Sequence, residues 1–396
     1  MDKIITLVPG THIYSIHLLL TLIFEQLINK TMKSFQFLYV VFMILFFSQC
    51  KTSKINIPPS TLPTASIIQE GFINCFEEGL KGPDGTPVWC EASAIVYDGS
   101  KLFFVNDKDM PDTRTSLFYL PLQNGFIDTT QSPTYSDNPL IKNGKKYEDF
   151  ALTPDDNYVF LSNGFDRVKP GSTDWDSYNT ILYWRKGEEA HPNVLNVNGT
   201  DSTSVSFRQK ISKALTSPEF PDGAPYFKIE GLAVTNNTIY WGVREEGKKF
   251  DDFKYKIKIL TSPYTINNSK ITIGDISLLT DFDIPAINPS NKTIAISSIE
   301  YDHFNNRFLI LTSYEDGEKL GGFLWTATLN ELKQHIMHLV KDTQGNPIDF
   351  HRKSEDVAII SKSRVIVIDD DDRVITKIGN QVRQTNQAGY SVVEFR

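Results

Sequence analysis

Residues Glu230–Arg244 read EGLAVTNNTIYWGVR, which is an acidic residue followed by two short apolar segments on either side of an Asn-Asn turn. Two short strands joined by a tight turn predict a β-hairpin. The chain contains four more copies of this pattern, and the start and the polar end of each copy are 14 or 15 residues apart. The other copies begin at Glu91, Glu148, Ser297 and Glu355.

The ends of the second strands are polar in every copy. In an antiparallel hairpin the first residue of one strand lies beside the last residue of the next strand. Each copy therefore places its start and its polar end together at one end of a hairpin. The polar ends are Asn106-Asp107, Asn163, Arg244-Glu245, Thr312-Ser313 and Asp369-Asp370.

A series of such hairpins is typical of an all-β propeller. The pattern predicts five four-stranded blades, and the long interval between the second and third copies leaves room for a degenerate sixth blade. The last copy has residues for only three strands, so its fourth strand is predicted to come from Ile67–Asn74. Pairing the two termini in one blade closes the ring and removes exposed sheet edges.

The charge balance argues against one class of partner. The 396 residues carry a formal net charge of −8, and the sequence contains no dense tract of Lys and Arg. Nucleic-acid binding depends on neutralising phosphates, so no nucleic-acid partner is predicted. The small basic group at Lys142, Lys145 and Lys146 is interpreted as a solvated loop.

The N-terminal region has the pattern of an export signal. Met32-Lys33-Ser34 precedes thirteen largely apolar residues, and Ser48-Gln49-Cys50 follows them. A charged start, a short apolar stretch and a small-residue exit form a signal peptide, whereas a membrane-spanning helix needs about 20 residues. A Cys at this position resembles the lipidation site of bacterial lipoproteins. We therefore expect export, with a lipid anchor at Cys50 in a membrane of the bacterial cell envelope.

This interpretation divides the chain into four segments. Residues 1–31 are an upstream extension, and residues 32–49 are the lipoprotein-type signal peptide. Residues 50–66 form a flexible tether that is rich in Pro, Ser and Thr, and residues 67–396 form a single propeller domain. The alternative is one uncleaved membrane anchor built from both apolar runs of the N-terminal region.

Two cysteines remain after Cys50. Cys75 and Cys90 flank the loop that precedes the first repeat. An even number of cysteines in an oxidising compartment predicts a disulfide between them. The alternative is a pair of buried free thiols.

Two of the blades resemble a known family. Ile229–Val234 followed by Ile239–Arg244, and Ser354–Ala358 followed by Asp369–Asp372, are similar to the phytase-like β-propeller family, named for the esterase-like activity of phytase. Members are typically exported. The resemblance implies that carboxylates at one face of the ring bind calcium and phosphate. This chain departs from the pattern at Ser297, where a fourth repeat acid is expected.

The repeat geometry predicts a site at the mouth of the central channel. Carboxylates crowded into one place favour a hard cation such as Ca²⁺, while Arg244, Asn106 and Asn163 are predicted to bind a ligand. The alternative role for each Glu is a structural tie, in which it accepts backbone N–H groups of the next blade. The predicted metal ligands are Glu91, Asp107, Glu148, Glu230, Glu355, Asp369 and Asp370.

Two functional hypotheses follow. In the first, the acidic rim of an exported propeller binds a cation, a small anionic ligand or a protein partner. In the second, the protein is a calcium-dependent phosphoesterase in which a calcium-bound water attacks and Arg244 holds the phosphate. The sequence has no G-x-S-x-G, H-E-x-x-H or C-x-x-C motif, so no catalytic residue is assigned and enzymatic activity is left open.

Overall fold

The computed structural model describes residues 63–169, 171–197 and 201–396. The predicted upstream extension, the signal peptide, Cys50 and most of the tether lie outside these residues. The described part is mainly β-structure, arranged as five antiparallel sheets and one separate two-stranded pair. No helix within it is long and apolar enough to cross a membrane.

The strands of the first two sheets follow one another along the chain. After β1 (Ala65–Asn74), blade one contains β2 (Ala92–Tyr97), β3 (Lys101–Asn106), β4 (Leu117–Gln123), β5 (Phe126–Ile127) and β6 (Thr134–Tyr135). Blade two contains β7 (Tyr147–Leu152), β8 (Tyr158–Asn163), β9 (Ile181–Arg185) and β10 (Asn193–Val194).

The next two sheets repeat the arrangement with longer strands. Blade three contains β11 (Tyr226–Val234), β12 (Thr238–Lys249), β13 (Asp252–Asn267), β14 (Lys270–Ile273) and β15 (Ser277–Asp281). Blade four contains β16 (Ala295–Asp302), β17 (Arg307–Asp316), β18 (Lys319–Ala327) and β19 (His338–Leu339).

The last sheet joins the two ends of the described chain. Its order is β20 (Ser354–Ser361), β21 (Arg364–Asp369), β24 (Gln387–Phe395) and finally β1, while β22 (Lys377–Ile378) and β23 (Gln381–Val382) form the separate pair. β1 pairs antiparallel with β24 from Ala65 opposite Phe395 to Asn74 opposite Gln387. The predicted closure of the ring by both termini is confirmed, and the strand begins two residues before the predicted domain start.

The five blades form a closed ring. Their innermost strands contact one another in chain order, β2 with β7, β7 with β11, β11 with β16, β16 with β20 and β20 with β2. The described residues contain no sixth blade, so the five-bladed propeller is confirmed.

The long second interval instead contains a 3₁₀ turn (Val205–Phe207) and a helix. The helices are α1 (Pro139–Asn143), α2 (Arg208–Ala214), α3 (Ile284–Ile287) and α4 (Leu329–Leu332), and a second 3₁₀ turn spans Asp176–Tyr178.

Apolar side chains fill the spaces between neighbouring sheets. Trp184 of blade two packs edge to face against Phe103 of blade one and Phe150 of its own blade, with ring centroids 6.3 and 6.4 Å apart. Phe160 contacts Tyr264 of blade three in the same way. Both faces of an inner sheet are therefore buried, which explains the continuous apolar runs in the sequence.

Every innermost hairpin has a β-bulge at the same place. The ladder skips one residue near the start of the innermost strand, so two residues there oppose one on the partner strand. A β-bulge changes the direction in which a side chain points, and bulges are frequent next to active sites. The skipped residues are Ser93, Glu148, Glu230, Ser297 and Glu355.

This register corrects the predicted alignment of the first copy. Ser93, and not Glu91, occupies the position of Glu148 and the other repeat glutamates. The copies that start at Glu91 and Glu148 nevertheless have the same spacing between start and polar end, for a simple reason. Tyr97 pairs with Leu102, whereas the equivalent Leu152 pairs with Val159, so the turn of blade one is two residues shorter. The shorter turn compensates for a start that lies two residues earlier.

Candidate functional site

The starts and polar ends of the hairpins meet at one mouth of the channel, which we call the rim. The backbone N–H of Glu91 donates to Asn106 Oδ1 at 2.6 Å, and the N–H of Asp107 donates to the Glu91 carbonyl at 2.9 Å. Ser354 likewise pairs with Asp369. The antiparallel hairpin thus brings together residues that are about fifteen positions apart in sequence.

The rim glutamates of blades two and three share one lysine. Lys228 Nζ lies 3.2 Å from Glu148 Oε1 and also forms an ion pair with Glu230. Lys146 Nζ lies 3.2 Å from Glu148 Oε1 on the other side. The two carboxylates are almost completely buried and the two lysines are partly buried, so their attraction is screened less than that of a surface pair.

Arg244 is held by protein groups of blades three and four. Its Nη1 lies 3.0 Å from Glu230 Oε2 and donates to the Ile296 carbonyl at 3.1 Å and to Ser313 Oγ at 3.0 Å. Its Nη2 lies 3.7 Å from Glu315 Oε1. Arg244 therefore ties blade three to blade four.

Two further lysines complete the alternation of charge around the rim. Lys353 Nζ lies 3.0 Å from Glu355 Oε1, 3.0 Å from Glu315 Oε1 and 3.2 Å from Asp372 Oδ2. Lys108 forms an ion pair with Glu91, and its Nζ lies 3.4 Å from Asp107 Oδ1. The rim is thus a network of ion pairs and not a uniformly acidic ring.

The electrostatic environment of the rim glutamates differs from blade to blade. Burial opposes the ionisation of Glu230, but Arg244 and Lys228 outweigh burial and lower its pKa to about 2. Burial raises the pKa of Glu355 to about 8 despite the adjacent Lys353. Burial, together with the charge of Asp107, raises the pKa of Glu91 to about 7. Nearby bases therefore compensate the negative charge of Glu91 and Glu355 less well than that of Glu230.

One corner of the rim combines three carboxylates. Glu91 and Asp107 of blade one and Asp370 of blade five each offer an oxygen, and these oxygens all lie within 4.8 Å of one another. Glu91 and Asp370 are buried, and Lys108 is the base that contacts this corner. Carboxylate oxygens so arranged fit a hard divalent cation such as Ca²⁺.

The run of four aspartates serves four different purposes. Asp369 Oδ2 accepts from Arg352 Nε at 2.7 Å, and Asp370 faces the carboxylate corner. Asp371 accepts from the backbone N–H of Lys353 at 3.1 Å, and Asp372 pairs with the side chain of the same lysine. Of this run, Asp370 alone joins the corner.

The two amides predicted to bind ligand are engaged by the backbone. Asn106 Oδ1 accepts from Glu91, and Asn163 Oδ1 accepts from the Thr180 N–H at 3.0 Å. The Asn163 amide nitrogen donates to the Lys145 carbonyl. Both side chains are buried and fix the ends of their strands.

The sulphurs of Cys75 and Cys90 are joined in a disulfide, with Cα atoms 6.0 Å apart.

Sequence reasoning missed the bases of the rim. Lys146, Lys228 and Lys353 each stand two residues before a repeat glutamate, which gives the motif K-x-E in blades two, three and five. Residues two apart on a strand lie on the same side, so this recurring motif is the signal that predicts the ion pairs. The structure places Lys146 at the rim, and not in a solvated loop as the sequence predicts.

The comparisons with known proteins identify no family. No protein-family model matches the sequence, and no curated protein matches it significantly. Among solved structures, the catalytic domain of a GH62 α-L-arabinofuranosidase from Coprinopsis cinerea is 11% identical with a TM-score of 0.40, covering 84% of this chain and 96% of that chain. A putative glycoside hydrolase from Parabacteroides distasonis is 12% identical with a TM-score of 0.38, covering 82% and 97% respectively. Identities and TM-scores this low do not extend the activity of either protein to this chain.

Proposed function

We propose that this protein is a binding propeller that holds one hard divalent cation at Glu91, Asp107 and Asp370 and takes up a small anionic ligand beside it. The observation that supports this proposal is the carboxylate corner, where oxygens from two blades converge within 4.8 Å. Ca²⁺ prefers such oxygen ligands and completes its shell with water.

The charge of the corner favours a cation. Burial is the main cause that raises the pKa values of Glu91 and Asp370, and nearby carboxylates add to the effect. A divalent ion would relieve this repulsion directly. The Lys108 side chain, which is 36% exposed, can turn toward solvent when an ion enters, because its ammonium group then regains water.

A basic groove adjoins the corner and supports the second half of the proposal. The groove has a volume of about 200 Å³, which suits a phosphate or a small carboxylate. It is lined by Lys108, which contacts the corner, and by Asn106, which accepts a hydrogen bond from the Glu91 N–H. Its five basic side chains outnumber the acidic Asp109 and Asp112. These bases are Lys108, Arg114, Lys142, Lys145 and Lys146.

The rim geometry does not favour a phosphoesterase over a binding protein. In that alternative Arg244 would hold the phosphate, yet its guanidinium already contacts Glu230, Ile296 and Ser313. A substrate phosphate would have to displace these buried partners. Incubation with a phosphomonoester, with and without Ca²⁺, distinguishes the alternatives, and we expect no calcium-dependent release of phosphate.

The location of the protein is part of the proposal. A Cys75–Cys90 disulfide is stable in an oxidising compartment and not in a reducing cytosol, which supports export. We therefore propose that the propeller lies outside the cytoplasm on a lipid anchor at Cys50.

Calorimetric titration of the full chain tests the site. We expect Ca²⁺ to bind after treatment with chelator, and inorganic phosphate to bind more tightly when Ca²⁺ is present. Asp107→Asn should weaken calcium binding at the rim at least tenfold, since it removes one of three carboxylate ligands. Asp112→Asn is the matched control, because it neutralises an exposed acid of the same groove and should leave calcium binding unchanged. Equal calcium binding by both variants would refute the rim site.

A further inference from the structure

A second carboxylate cluster lies inside the channel. Asp149 of blade two, Glu300 of blade four and Asp356 of blade five each offer an oxygen, and these oxygens lie within 4.8 Å of one another. Asp149 and Asp356 are completely buried, and Glu300 is 5% exposed. None of the three belongs to the rim, and we call them the channel trio.

The channel trio lacks the bases that accompany every rim glutamate. Among the described residues, no Lys or Arg forms an ion pair with any of its members. Asp149 Oδ1 and Glu300 Oε1 are buried and have no hydrogen-bond partner. Buried oxygens of this kind are costly unless something satisfies them, so their convergence points to a positively charged ligand.

The remaining oxygens of the two aspartates are satisfied by backbone and hydroxyl groups. Asp356 Oδ2 accepts from the Ile95 N–H at 2.7 Å, and its Oδ1 accepts from Ser298 Oγ at 2.7 Å. Asp149 Oδ2 accepts from the Leu232 N–H at 2.5 Å. Ile95 belongs to blade one and Leu232 to blade three, so all five blades contribute to the surroundings of the channel trio.

We propose that a hard divalent cation, for which Ca²⁺ is the probe, binds Asp149, Glu300 and Asp356 and joins the blades at the axis of the propeller. The alternative to a cation is a proton shared between Asp149 and Asp356. That proton would remove only one of the three negative charges, and the Glu300 oxygen would still have no hydrogen-bond partner. A divalent ion contacts all three carboxylates at once, which matches the oxygen-rich coordination of Ca²⁺ and Mg²⁺.

The ion has an entry path that does not cross the rim. Glu300 lines a groove of about 200 Å³ together with Val96, Tyr97, Leu152 and Ala358. These residues lie near the far ends of the innermost strands, and the groove is therefore the opposite mouth of the channel. A metal site requires ligands and an entry route, and here three converging oxygens supply the ligands while the groove beside Glu300 supplies the route.

The test is the number of calcium ions bound by the full chain after removal of metal with chelator, measured by equilibrium dialysis. We expect two ions in the natural protein, one at the rim and one in the channel. Glu300→Gln should lose one ion, and Asp107→Asn should lose the other. If the rim proposal alone fails, the natural protein binds one ion and Glu300→Gln binds none. Equal stoichiometry in the natural protein and Glu300→Gln overturns the channel site.

A second measurement separates a cation from a hydrogen-bonded carboxyl network. Ca²⁺ should raise the Tm of Asp107→Asn by several degrees, because the ion binds the folded state, and should leave the Tm of Asp107→Asn/Asp149→Asn unchanged. Asp107→Asn/Asp302→Asn is the matched control, since Asp302 is a buried acid two residues after Glu300 on β16 and pairs with Arg307. This control should be less stable yet retain the calcium-induced rise. A double variant with Asp149→Asn that still responds fully to Ca²⁺ would refute the proposal.

Discussion

The Ser297 hydroxyl donates a 2.8 Å hydrogen bond to the carbonyl oxygen of Ser354 and thereby joins the innermost strands of blades four and five. Ser93 makes the same bond to the Tyr147 carbonyl at 2.6 Å, between blades one and two. Both serines are the skipped residues of their bulges. The serine that interrupts the row of repeat glutamates is therefore a tie between blades.

Loss of this tie has a measurable cost. Ser297→Ala should lower the free energy of unfolding by about 1–2 kcal/mol, because the buried Ser354 carbonyl loses its hydroxyl donor. Ser132→Ala, at an exposed position, should change it by less than about 0.5 kcal/mol. Urea unfolding of both variants provides the measurement, and equal midpoints would show that the Ser297 bond does not stabilise the ring.

Glu230 should make the stability depend on acid pH. Its folded pKa of about 2 lies below the ordinary 4.5, so its contribution is present above pH 4.5 and is lost as the pH falls toward 2. Glu230→Gln should remove this part of the pH dependence. At pH 7 it should cost about 3–5 kcal/mol, because Arg244 and Lys228 lose a buried partner.

The measurement is a series of urea unfolding curves between pH 3 and pH 7. At each pH, the free energy of unfolding of each variant is compared with that of the natural protein. Glu78→Gln, at an exposed position, is the control and should follow the natural protein throughout. A constant difference between Glu230→Gln and the natural protein at every pH would show that Glu230 is not held ionised.

The disulfide should stabilise the start of the propeller. Cys75 and Cys90 are 15 residues apart, and closing a loop of this size contributes about 3 kcal/mol. A reducing agent should therefore lower the Tm of the natural protein by several degrees. The Tm of Cys75→Ser/Cys90→Ser should be low from the outset and insensitive to the reducing agent. An unchanged Tm on complete reduction would contradict this prediction.

The closure strand β1 offers a matched pair of substitutions. Ile73 is completely buried between the first and last blades, whereas Ile68 on the same strand is 40% exposed. Ile73→Ala should cost about 2–5 kcal/mol through the cavity it leaves, and Ile68→Ala should cost much less. Urea unfolding distinguishes them. Similar small losses in both would mean that ring closure contributes little to stability.

The lipid anchor remains a prediction from the sequence. Cys50→Ala should release the protein from the membrane fraction or leave it with an uncleaved signal, because the acyl chains can no longer be attached. Mass spectrometry of the natural protein should show a mature chain that begins at a lipid-modified Cys50. Detection of residues 1–31 in the mature protein would contradict this processing.

The sequence alone was sufficient for the architecture. Apolar segments, turn residues and regular spacing predict hairpins, and the shortage of strands in the last copy predicts that β1 completes the blade. The hairpin signals are local, and the shortage of strands follows from a count along the chain, so neither requires knowledge of the tertiary structure. The same spacing also predicts that Glu91 lies beside Asn106 and Asp107, as it does in the structure.

The composition of the site depended on tertiary structure. The start at Glu91, which lies two residues early, and the shorter turn of blade one compensate in the residue count, so only the pairing of strands shows that Glu91 is not equivalent to Glu148. Lys228 between Glu148 and Glu230, and the convergence of Asp149, Glu300 and Asp356, arise from blades that are distant in sequence. Sequence spacing fixes which residues share a hairpin, whereas the charges that face one another across the channel are set by closure of the ring.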